Sequence, residues 1–385
     1  MKKGWEMLTV GDVCERGSSN VSQNQLANED GNYPIFGASG LIKNVSFYHQ
    51  EKPYLSIVKD GSGVGRVTKM DAFTSVIGTL QYIIPKENID LNYLYYNLIS
   101  IDFKKYVAGA AIPHIYFKDY KSEPFLWMPL PEQKRIVSII DEAFAAIAKA
   151  KVNAEHNLKN AKELFESYLQ GVFENPKDNW EKKKWGDLCH FVRGPFGGSL
   201  KKSIFKEEGY VVYEQKHAIH DHFNQLRYFI DEDKFNEMIR FELKAGDIIM
   251  SCSGVTLGRV AIVPEGIKRG IINQALLKLT PKKNVSVHFL KNWLRSSIFQ
   301  KIIFDFAGGA AIPNVPSAKI LKDILIPFPS LKEQEKVVND LDLILAETQK
   351  LEAIYKQKIN DLEELKKSVL QKAFSGELRT NTLAV

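Results

Sequence analysis

The feature that most limits how this chain of 385 residues can fold is an internal repeat with a period of about 200 residues. Five short motifs return in the same order, and the distance between the copies grows from 175 to 201 residues. Chance explains such an ordered series poorly, so we infer two related halves, the second of which carries insertions, mostly in its first part. The matched motifs are Gly11-Asp12-Val13-Cys14 with Gly186-Asp187-Leu188-Cys189, Gly65-Arg66-Val67 with Gly258-Arg259-Val260, Gly109-Ala110-Ala111-Ile112-Pro113 with Gly309-Ala310-Ala311-Ile312-Pro313, Glu132-Gln133 with Glu333-Gln334, and Leu169-Gln170 with Leu370-Gln371.

Each half is predicted to form a β-rich head followed by one long helix. Short apolar runs such as 54–58 and 247–250 are typical of strands. They are followed by glycine-rich segments, Asp60-Gly61-Ser62-Gly63 and Ser253-Gly254, which are typical of tight turns.

The long helices carry a regular apolar pattern. Core-type residues recur at alternating steps of four and three from Ile136 to Tyr168, and again from Val337 to Val369 in an identical register. An average spacing of about 3.5 residues kept over this length predicts a coiled-coil seam. The first seam is rich in Ala where the second carries larger residues, which favours packing of the two helices on each other within one chain. Packing of each helix on its own head, or on a second copy of the chain, is the alternative.

The ends of the helices are marked in the sequence. Ser330 and Glu333 form a capping box, Pro131 suits a first helical turn, and Gly376 suits a helix end. We therefore predict an α+β fold in which two β-rich heads are separated by two long antiparallel coiled-coil helices, with a pseudo-two-fold internal repeat. The predicted division is a first head at 1–129, a first long helix at 130–175, a second head at 176–329 and a second long helix at 330–378.

Composition narrows the class of protein. A net charge of +6 is compatible with a polyanionic partner but does not require one. The three cysteines form no CxxC pair, which argues against a disulfide framework or a four-thiolate zinc site and fits a reducing compartment. The sequence begins without the apolar stretch of a signal peptide and has no run of 18 apolar residues. We expect a cytoplasmic protein.

Motifs of common nucleotide-directed enzymes are absent from the sequence. It has no Pro-Pro dipeptide, which an adenine methyltransferase needs in its motif, and no Gly-Lys dipeptide of a P-loop. The cluster His217-x-x-His220-Asp221-His222 has donors for a divalent metal, but a DNA-contacting loop or a plain surface explains it as well. We predict no catalytic centre, metal or cofactor in this chain, and keep a metal-dependent nuclease and a protein-interaction scaffold as alternatives.

Two heads at a fixed separation suit a ligand that is itself periodic. Duplex DNA presents equivalent groove faces about every 34 Å, and a helical rod of roughly 60 Å could hold two heads one turn apart or somewhat more. Because the heads differ in sequence, the half-sites that they contact would differ as well.

The order of these segments resembles the specificity subunit of a type I restriction-modification system. The resemblance rests on the helix starts Leu130-Pro131-Glu132-Gln133 and Leu331-Lys332-Glu333-Gln334, on the ending 368–378, and on a glycine-rich turn at 194–203 similar to one common in target-recognition domains. It implies that each head is a target-recognition domain reading one half of a split, asymmetric double-stranded DNA sequence. It also implies that two methyltransferase subunits dock on the helices, that restriction subunits join them, and that these partners use S-adenosylmethionine, ATP and magnesium.

The candidate DNA contacts lie on loops. Glycines in the turn before each Gly-Arg-Val let the backbone approach a phosphate, and the basic stretch after Arg193 fits clamping of the DNA backbone. The Gly-Ala-Ala-Ile-Pro loops share a frame but continue with different polar residues, His114 and Asn314, as two readers of different sequence would. Ordinary turns and solvated loops are the alternative. The predicted contacts are Ser39, Lys43, Asn44, Lys59, Ser62, Gly63, Arg66 and His114 in the first head, and Arg193, Ser199, Lys201, Lys202, His217, His220, Ser253, Thr256, Arg259 and Asn314 in the second.

Overall fold

The computed structural model describes residues 4–109, 111–306 and 313–378, and the chain divides into two compact units. Unit 1 comprises Met1–His156 with Tyr355–Val385, and unit 2 comprises Asn157–Ile354. Each unit thus contains one head together with about half of each of the two long helices. Ala110 and 309–312 of the repeated loop lie outside the described residues. Because the units group residues by packing rather than by element, the division into heads and helices made from the sequence stays a prediction.

The first head contains three sheets. A four-stranded antiparallel sheet has the order β2-β8-β5-β6, a three-stranded sheet has the order β4-β3-β7 with β3 and β7 parallel, and β1 pairs with β9. The elements up to the end of the first long helix are β1 (Glu6–Thr9), α1 (Val10–Val13), β2 (Cys14–Ser18), β3 (Tyr33–Gly37), β4 (Gly40–Val45), β5 (Tyr54–Val58), β6 (Val67–Met70), β7 (Ser75–Val76), β8 (Leu80–Pro85), α2 (Leu91–Ser100), α3 (Phe117–Tyr120), β9 (Pro124–Trp127) and α4 (Leu130–Glu174).

The second head repeats this order of strands. Its sheets are β11-β17-β14-β15, β13-β12-β16 with β12 and β16 parallel, and β10-β18. The extra residues include three short helices that have no α-helical counterpart among the described residues of the first head, α6, α7 and α9, which accounts for much of the growing offset of the repeat. The elements are β10 (Glu181–Lys184), α5 (Trp185–Leu188), β11 (Cys189–Arg193), β12 (Tyr210–Tyr213), α6 (Gln215–His220), β13 (Phe229–Ile230), α7 (Glu232–Glu237), β14 (Ile248–Ser251), β15 (Val260–Ile262), β16 (Gly270–Ile272), β17 (Leu276–Pro281), α8 (Val287–Arg295), α9 (Ser297–Phe306), α10 (Ala318–Asp323), β18 (Leu325–Phe328) and α11 (Leu331–Phe374).

The central strand of each head is buried on both faces, which explains its continuous apolar sequence. In β5, Leu55 and Ile57 belong to the core that faces the helices, whereas Tyr54 and Val58 belong to a second core on the other face. Successive side chains of a strand point to opposite faces, so one strand serves two cores. The sheet is therefore covered on both faces, and the loops between its strands lie at its two ends.

Within unit 1, the two long helices pack on each other and on the first head. Ile140 of α4 shares a core with Val369 and Leu370 of α11. An ion pair of 2.5 Å joins Lys151 to Glu363, and Lys366 lies 4.9 Å from the ring centre of Phe144, so partner numbers fall along α11 as they rise along α4. The helices are antiparallel here, as predicted.

Within unit 2, the remaining halves of the helices complete the core of the second head. Leu169 and Phe173 of α4 share a core with Val338 and Leu341 of α11, and the ring of Phe173 lies 5.5 Å from that of Phe289 in α8. Each head is thus covered by both long helices.

The predicted seam is correct in the first half of α4 and wrong near its end. Ile136, Ile140 and Ile147 are buried as predicted, but Leu164 and Tyr168 are 47% and 38% exposed. Phe165 and Leu169 pack on the core of the second head instead. The register shifts because this part of the helix faces a head as well as its partner helix.

Candidate nucleic-acid interface

In the first head, the glycine-rich turn between β5 and β6 is joined to the loop that precedes α3. The backbone N–H of Gly61 donates to the carbonyl of Pro113 at 2.9 Å, and the N–H of Ile115 donates to the carbonyl of Lys59 at 2.9 Å. Gly61 has a φ of +90°, a conformation that other residues rarely adopt. Two segments that the sequence offered as separate candidates therefore form one surface.

The second head makes the same connection between its own copies of these segments. The N–H of Gly254, whose φ is +82°, donates to the carbonyl of Pro313 at 2.9 Å, and the N–H of Val315 donates to the carbonyl of Cys252 at 3.0 Å. As a result Ser253 lies opposite Asn314, as Asp60 lies opposite His114 in the first head. The frame is shared, whereas the polar residues on it differ.

A third loop joins this surface in the first head. It is the two-residue turn between β3 and β4, which contains Ala38 and Ser39. The guanidinium of Arg66 donates to the carbonyl of Ala38, so the turn and the start of β6 are held together. Ser39 is exposed beside this contact.

The third loop of the second head is the glycine-rich segment after β11. The N–H of Gly194 donates to the carbonyl of Leu276 at 2.9 Å, and Leu276 pairs with Ser251 at the end of β14. A Cβ atom on Gly194 would lie 1.8 Å from the carbonyl oxygen of Asn273, so only glycine fits this close approach.

In each head these loops meet at one end of the four-stranded sheet. We call this end the recognition rim, defined as residues 38–41, 59–66 and 111–115 in the first head and residues 193–202, 252–259 and 313–315 in the second. The rims contain most of the predicted DNA contacts, namely Ser39, Lys59, Ser62, Gly63, Arg66, His114, Arg193, Ser199, Lys201, Lys202, Ser253, Thr256, Arg259 and Asn314.

The cations of the two rims differ in their exposure to solvent and in whether a carboxylate lies beside them. Arg193, Lys201, Lys202 and Arg259 are exposed on the second rim. On the first rim, Lys59 is half-buried and its ammonium lies 3.4 Å from the Asp60 carboxylate, which offsets part of its charge.

Two predicted contacts of the first head lie away from its rim. Lys43 and Asn44 are farther along β4, where they pair with Ile35 and Pro34. The ammonium of Lys43 donates to the carbonyl of Leu26 at 3.1 Å, so this side chain is engaged within the head.

His217 is withdrawn as a DNA contact because its side chain is fully buried. It lies on α6 with its ring against those of Tyr213 and Phe223, and burial lowers its pKa. His220 at the end of the same helix is exposed and stacks on His222, with ring centres 5.8 Å apart. His220 lies outside the segments that define the rim.

Neither a metal-binding cluster nor a reactive thiol is present among the described residues. Among them, no group of three or more His, Cys, Asp and Glu side chains could hold a metal ion. Burial raises the pKa of the thiols of Cys14, Cys189 and Cys252 to about 12, so these thiols stay protonated at neutral pH. No helix in the described part of the chain is both long and apolar enough to cross a membrane.

The sequence analysis missed Gln215, which supports the second rim from outside it. Its side-chain amide donates to the carbonyl of Ser253 at 2.8 Å and accepts from the Ser253 hydroxyl at 3.2 Å. Gln215 lies on α6, which has no counterpart in the described part of the first head, so the repeat could not reveal it.

The comparison with protein families decides the identity of the chain. A family model described as the type I restriction modification DNA specificity domain matches residues 2–156 and 177–364, which is most of the sequence. The chain belongs to this family. It is a DNA-specificity subunit of the type I restriction-modification class, a non-catalytic component, and the enzyme and scaffold alternatives receive no support.

Similar proteins match nearly the full length of this chain, and the solved structures among them show the same fold. The type I restriction enzyme MjaVIII specificity subunit of Methanocaldococcus jannaschii is 24% identical, over 98% of this chain and 94% of its own length. The HsdS subunit from Thermoanaerobacter tengcongensis has a similar fold, with a TM-score of 0.68 at 17% identity, over 98% of both chains. A chain from a structure on the complex assembly and conformational transition of the type I R-M system also has a similar fold. Its TM-score is 0.70 at 17% identity, over 98% of this chain and 99% of its own length. The predicted α+β fold class and family are confirmed.

Proposed function

We propose that this specificity subunit reads a bipartite, asymmetric duplex DNA sequence, with one half contacted by each recognition rim. The observation that carries the proposal is the shared frame: the hydrogen bonds Gly61 to Pro113 and Gly254 to Pro313 are equivalent, while the adjacent residues are His114 and Asn314. An equivalent frame with different polar groups supports two related readers of different base sequences.

The residues of the rims divide by chemistry into two classes. Arg66, Arg193, Lys201, Lys202 and Arg259 are cations that suit phosphates, which supply affinity without sequence choice. His114 and Asn314 suit base edges. The Nδ1–H of His114 donates to the carbonyl of Ile112 at 3.2 Å, which leaves Nε2 of the neutral ring as an acceptor for a base amino group.

The long helices are the proposed docking surface for two methyltransferase subunits, and restriction subunits would join that assembly. These partners would supply S-adenosylmethionine, ATP and magnesium, and the complex would work in the cytoplasm. Exposed apolar side chains on α4 and α11 support a protein partner there, because such side chains are more stable when covered. They are Val152, Leu164, Tyr168, Leu343, Ile354 and Leu365.

The direct test is co-expression of the chain with the methyltransferase encoded beside it, followed by genome-wide mapping of methylated adenine. We expect a split motif with two unlike halves and a constant unread gap. Methyltransferase expressed alone is the control and should give no such motif. A continuous motif, or the same methylation without this chain, would contradict the proposal.

A second test separates a DNA reader from a protein scaffold. Fluorescence anisotropy of the purified chain with a random duplex should show weak binding that falls steeply as salt rises, because phosphate contacts release counterions. A scaffold should show no binding at low salt.

A further inference from the structure

Two strongly exposed apolar side chains lie on the recognition rim of the second head. Phe196 is 92% exposed and Val255 is 89% exposed, the highest fractions among the large apolar side chains of the described residues. Phe196 follows β11 and Val255 follows β14, and both strands pair with β17 at the same end of the sheet. Exposure of this size at one functional surface indicates a ligand that covers it.

Phe196 is held outward by ordered neighbours. Pro195 before it and Leu200 after it are buried, and the carbonyl of Phe196 accepts a hydrogen bond from the N–H of Ser199 at 2.9 Å. Gly194 also lies close to the backbone of Asn273, so the chain is packed against the head on both sides of Phe196. The ring therefore projects from a supported loop.

The segment of chain that carries Phe196 is basic. Between residues 188 and 206 it has four cations, Arg193, Lys201, Lys202 and Lys206, and no Asp or Glu, and the acidic residues Asp187, Glu207 and Glu208 lie just outside it. Lys206 is paired with Asp231 at 3.5 Å, whereas Arg193, Lys201 and Lys202 are exposed. Exposed cations attract a phosphate backbone, and an exposed apolar ring on the same segment suits what lies between the two backbones, the bases.

We propose that Phe196 contacts the bases of the second half-site directly, by insertion of its ring at a base step, while the neighbouring cations hold the phosphates. This inference rests on the proposed function, because it assumes that the second rim faces duplex DNA. It adds a shape-dependent reading element: a step that unstacks readily accepts the ring, and a stiff step rejects it. Val255, on the adjacent turn, would contact the groove surface beside it.

The test uses the full chain assembled with its methyltransferase and a duplex carrying the mapped motif. The base analogue 2-aminopurine, which pairs with thymine and becomes brighter when unstacked, replaces in turn each adenine on either strand of the second half-site, except the adenine that the methyltransferase flips out for methylation. Wild type should raise the fluorescence at one step, and Phe196→Ala should abolish the rise. Because aromatic stacking on a base contributes about 1–3 kcal/mol, affinity should fall between about 5-fold and 150-fold.

Three further variants show whether the effect belongs to the aromatic ring of Phe196. Phe196→Trp should keep the fluorescence signal, because a larger aromatic ring can still insert. Ile239→Ala removes an exposed apolar side chain of the same head outside the rim and should leave binding unchanged. Lys201→Ala should reduce the salt dependence of binding, whereas Phe196→Ala should not, since the ring contacts no phosphate.

The outcomes are distinct. If wild type binds the motif and Phe196→Ala binds equally well with the same fluorescence, the inference is overturned while the proposed function stands. If Phe196→Ala instead loses the methyltransferase on co-purification, the ring is a protein contact and the inference is also overturned. If wild type itself fails to select the motif, the proposed function has failed first.

Discussion

The side chain of Gln133 is joined to the backbone of Asp90: its Oε1 accepts a hydrogen bond from the Asp90 N–H at 2.8 Å. The second head repeats this contact between Gln334 and the N–H of Ser286, also at 2.8 Å. Asp90 and Ser286 cap the short helices α2 and α8, so each glutamine fastens the start of a long helix to a head.

The first prediction concerns these glutamines. The Gln133 amide also donates to the carbonyls of Asn88 and Met128 at 2.9 and 2.7 Å, and the side chain is fully buried. Gln133→Leu would leave the buried carbonyl of Met128 unpaired, at a cost of roughly 1–3 kcal/mol, and would remove two half-buried hydrogen bonds, to Asp90 and Asn88, at about 1 kcal/mol each. We expect the free energy of unfolding, measured in urea, to fall by about 3 kcal/mol or more.

Gln334→Leu is the matched variant in unit 2 and should cost a similar amount. Gln357→Leu is the control, since Gln357 is exposed on α11, and its effect should stay within about 0.5 kcal/mol. A loss below about 1 kcal/mol for Gln133→Leu would show that Gln133 does not stabilise the attachment of α4 to the first head.

The sequence revealed the repeated glutamine but not its role. A repeat shows that a residue recurs, whereas the three hydrogen-bond partners of Gln133 come from segments up to 45 residues away. The repeat was predictable because its motifs recur in one order, and the long helices were predictable because they depend on local spacing, but the hydrogen bonds that join the two loops of each rim were not. Gln215, the burial of His217 and the register shift at Leu164 were not, because each depends on which segment packs against which.

The second prediction is that Arg66→Ala and Arg259→Ala weaken binding without changing the recognised sequence. A phosphate contact adds affinity for every sequence, so anisotropy should show weaker binding and a salt slope smaller by about one. Arg269→Ala is the control, because Arg269 is an exposed arginine of the second head paired with Glu242 at 2.8 Å, outside the rim. A changed methylation motif in either variant would assign that arginine to base reading instead.

The third prediction is that an exchange of rim residues alters one half of the target only. His114→Asn should change the preferred base in the half read by the first head, and Asn314→His should do so in the other half. Each lost base contact is worth about 1–3 kcal/mol of discrimination, which methylome mapping resolves readily. Unaltered motifs in both variants would limit these two residues to a structural role in their loops.

The fourth prediction tests whether the helices set the gap between half-sites. Seven residues inserted into both α4 and α11, at the crossing from one unit to the other, keep the seam in register and lengthen each helix by about 10.5 Å. The unread gap in the methylated motif should grow by about three base pairs. A gap that keeps its wild-type length would rule out this role of the helices.

The fifth prediction concerns pH. Burial lowers the pKa of His217 in the folded state. In the unfolded state the same side chain takes up a proton below the ordinary histidine pKa of about 6.5, so acid favours unfolding. The stability due to this group is complete above that pKa and is lost as the pH falls through it. Between pH 7.5 and 5.5 we expect wild type to lose up to about 1 kcal/mol more than His217→Asn.

His220→Gln is the control for this measurement, because His220 is exposed on the same helix. Its pH dependence should match that of wild type in thermal unfolding scans. Equal pH dependence in wild type and His217→Asn would show that the buried imidazole does not contribute.

The core of the first head includes Val369, Leu370 and Ala373, which the ribosome adds more than 230 residues after Trp127 closes the last strand of that head. The first head thus leaves the ribosome with part of its apolar surface uncovered and must wait for the final turns of α11. A frameshift or stop codon near the 3′ end of the reading frame would consequently damage the head that was made first.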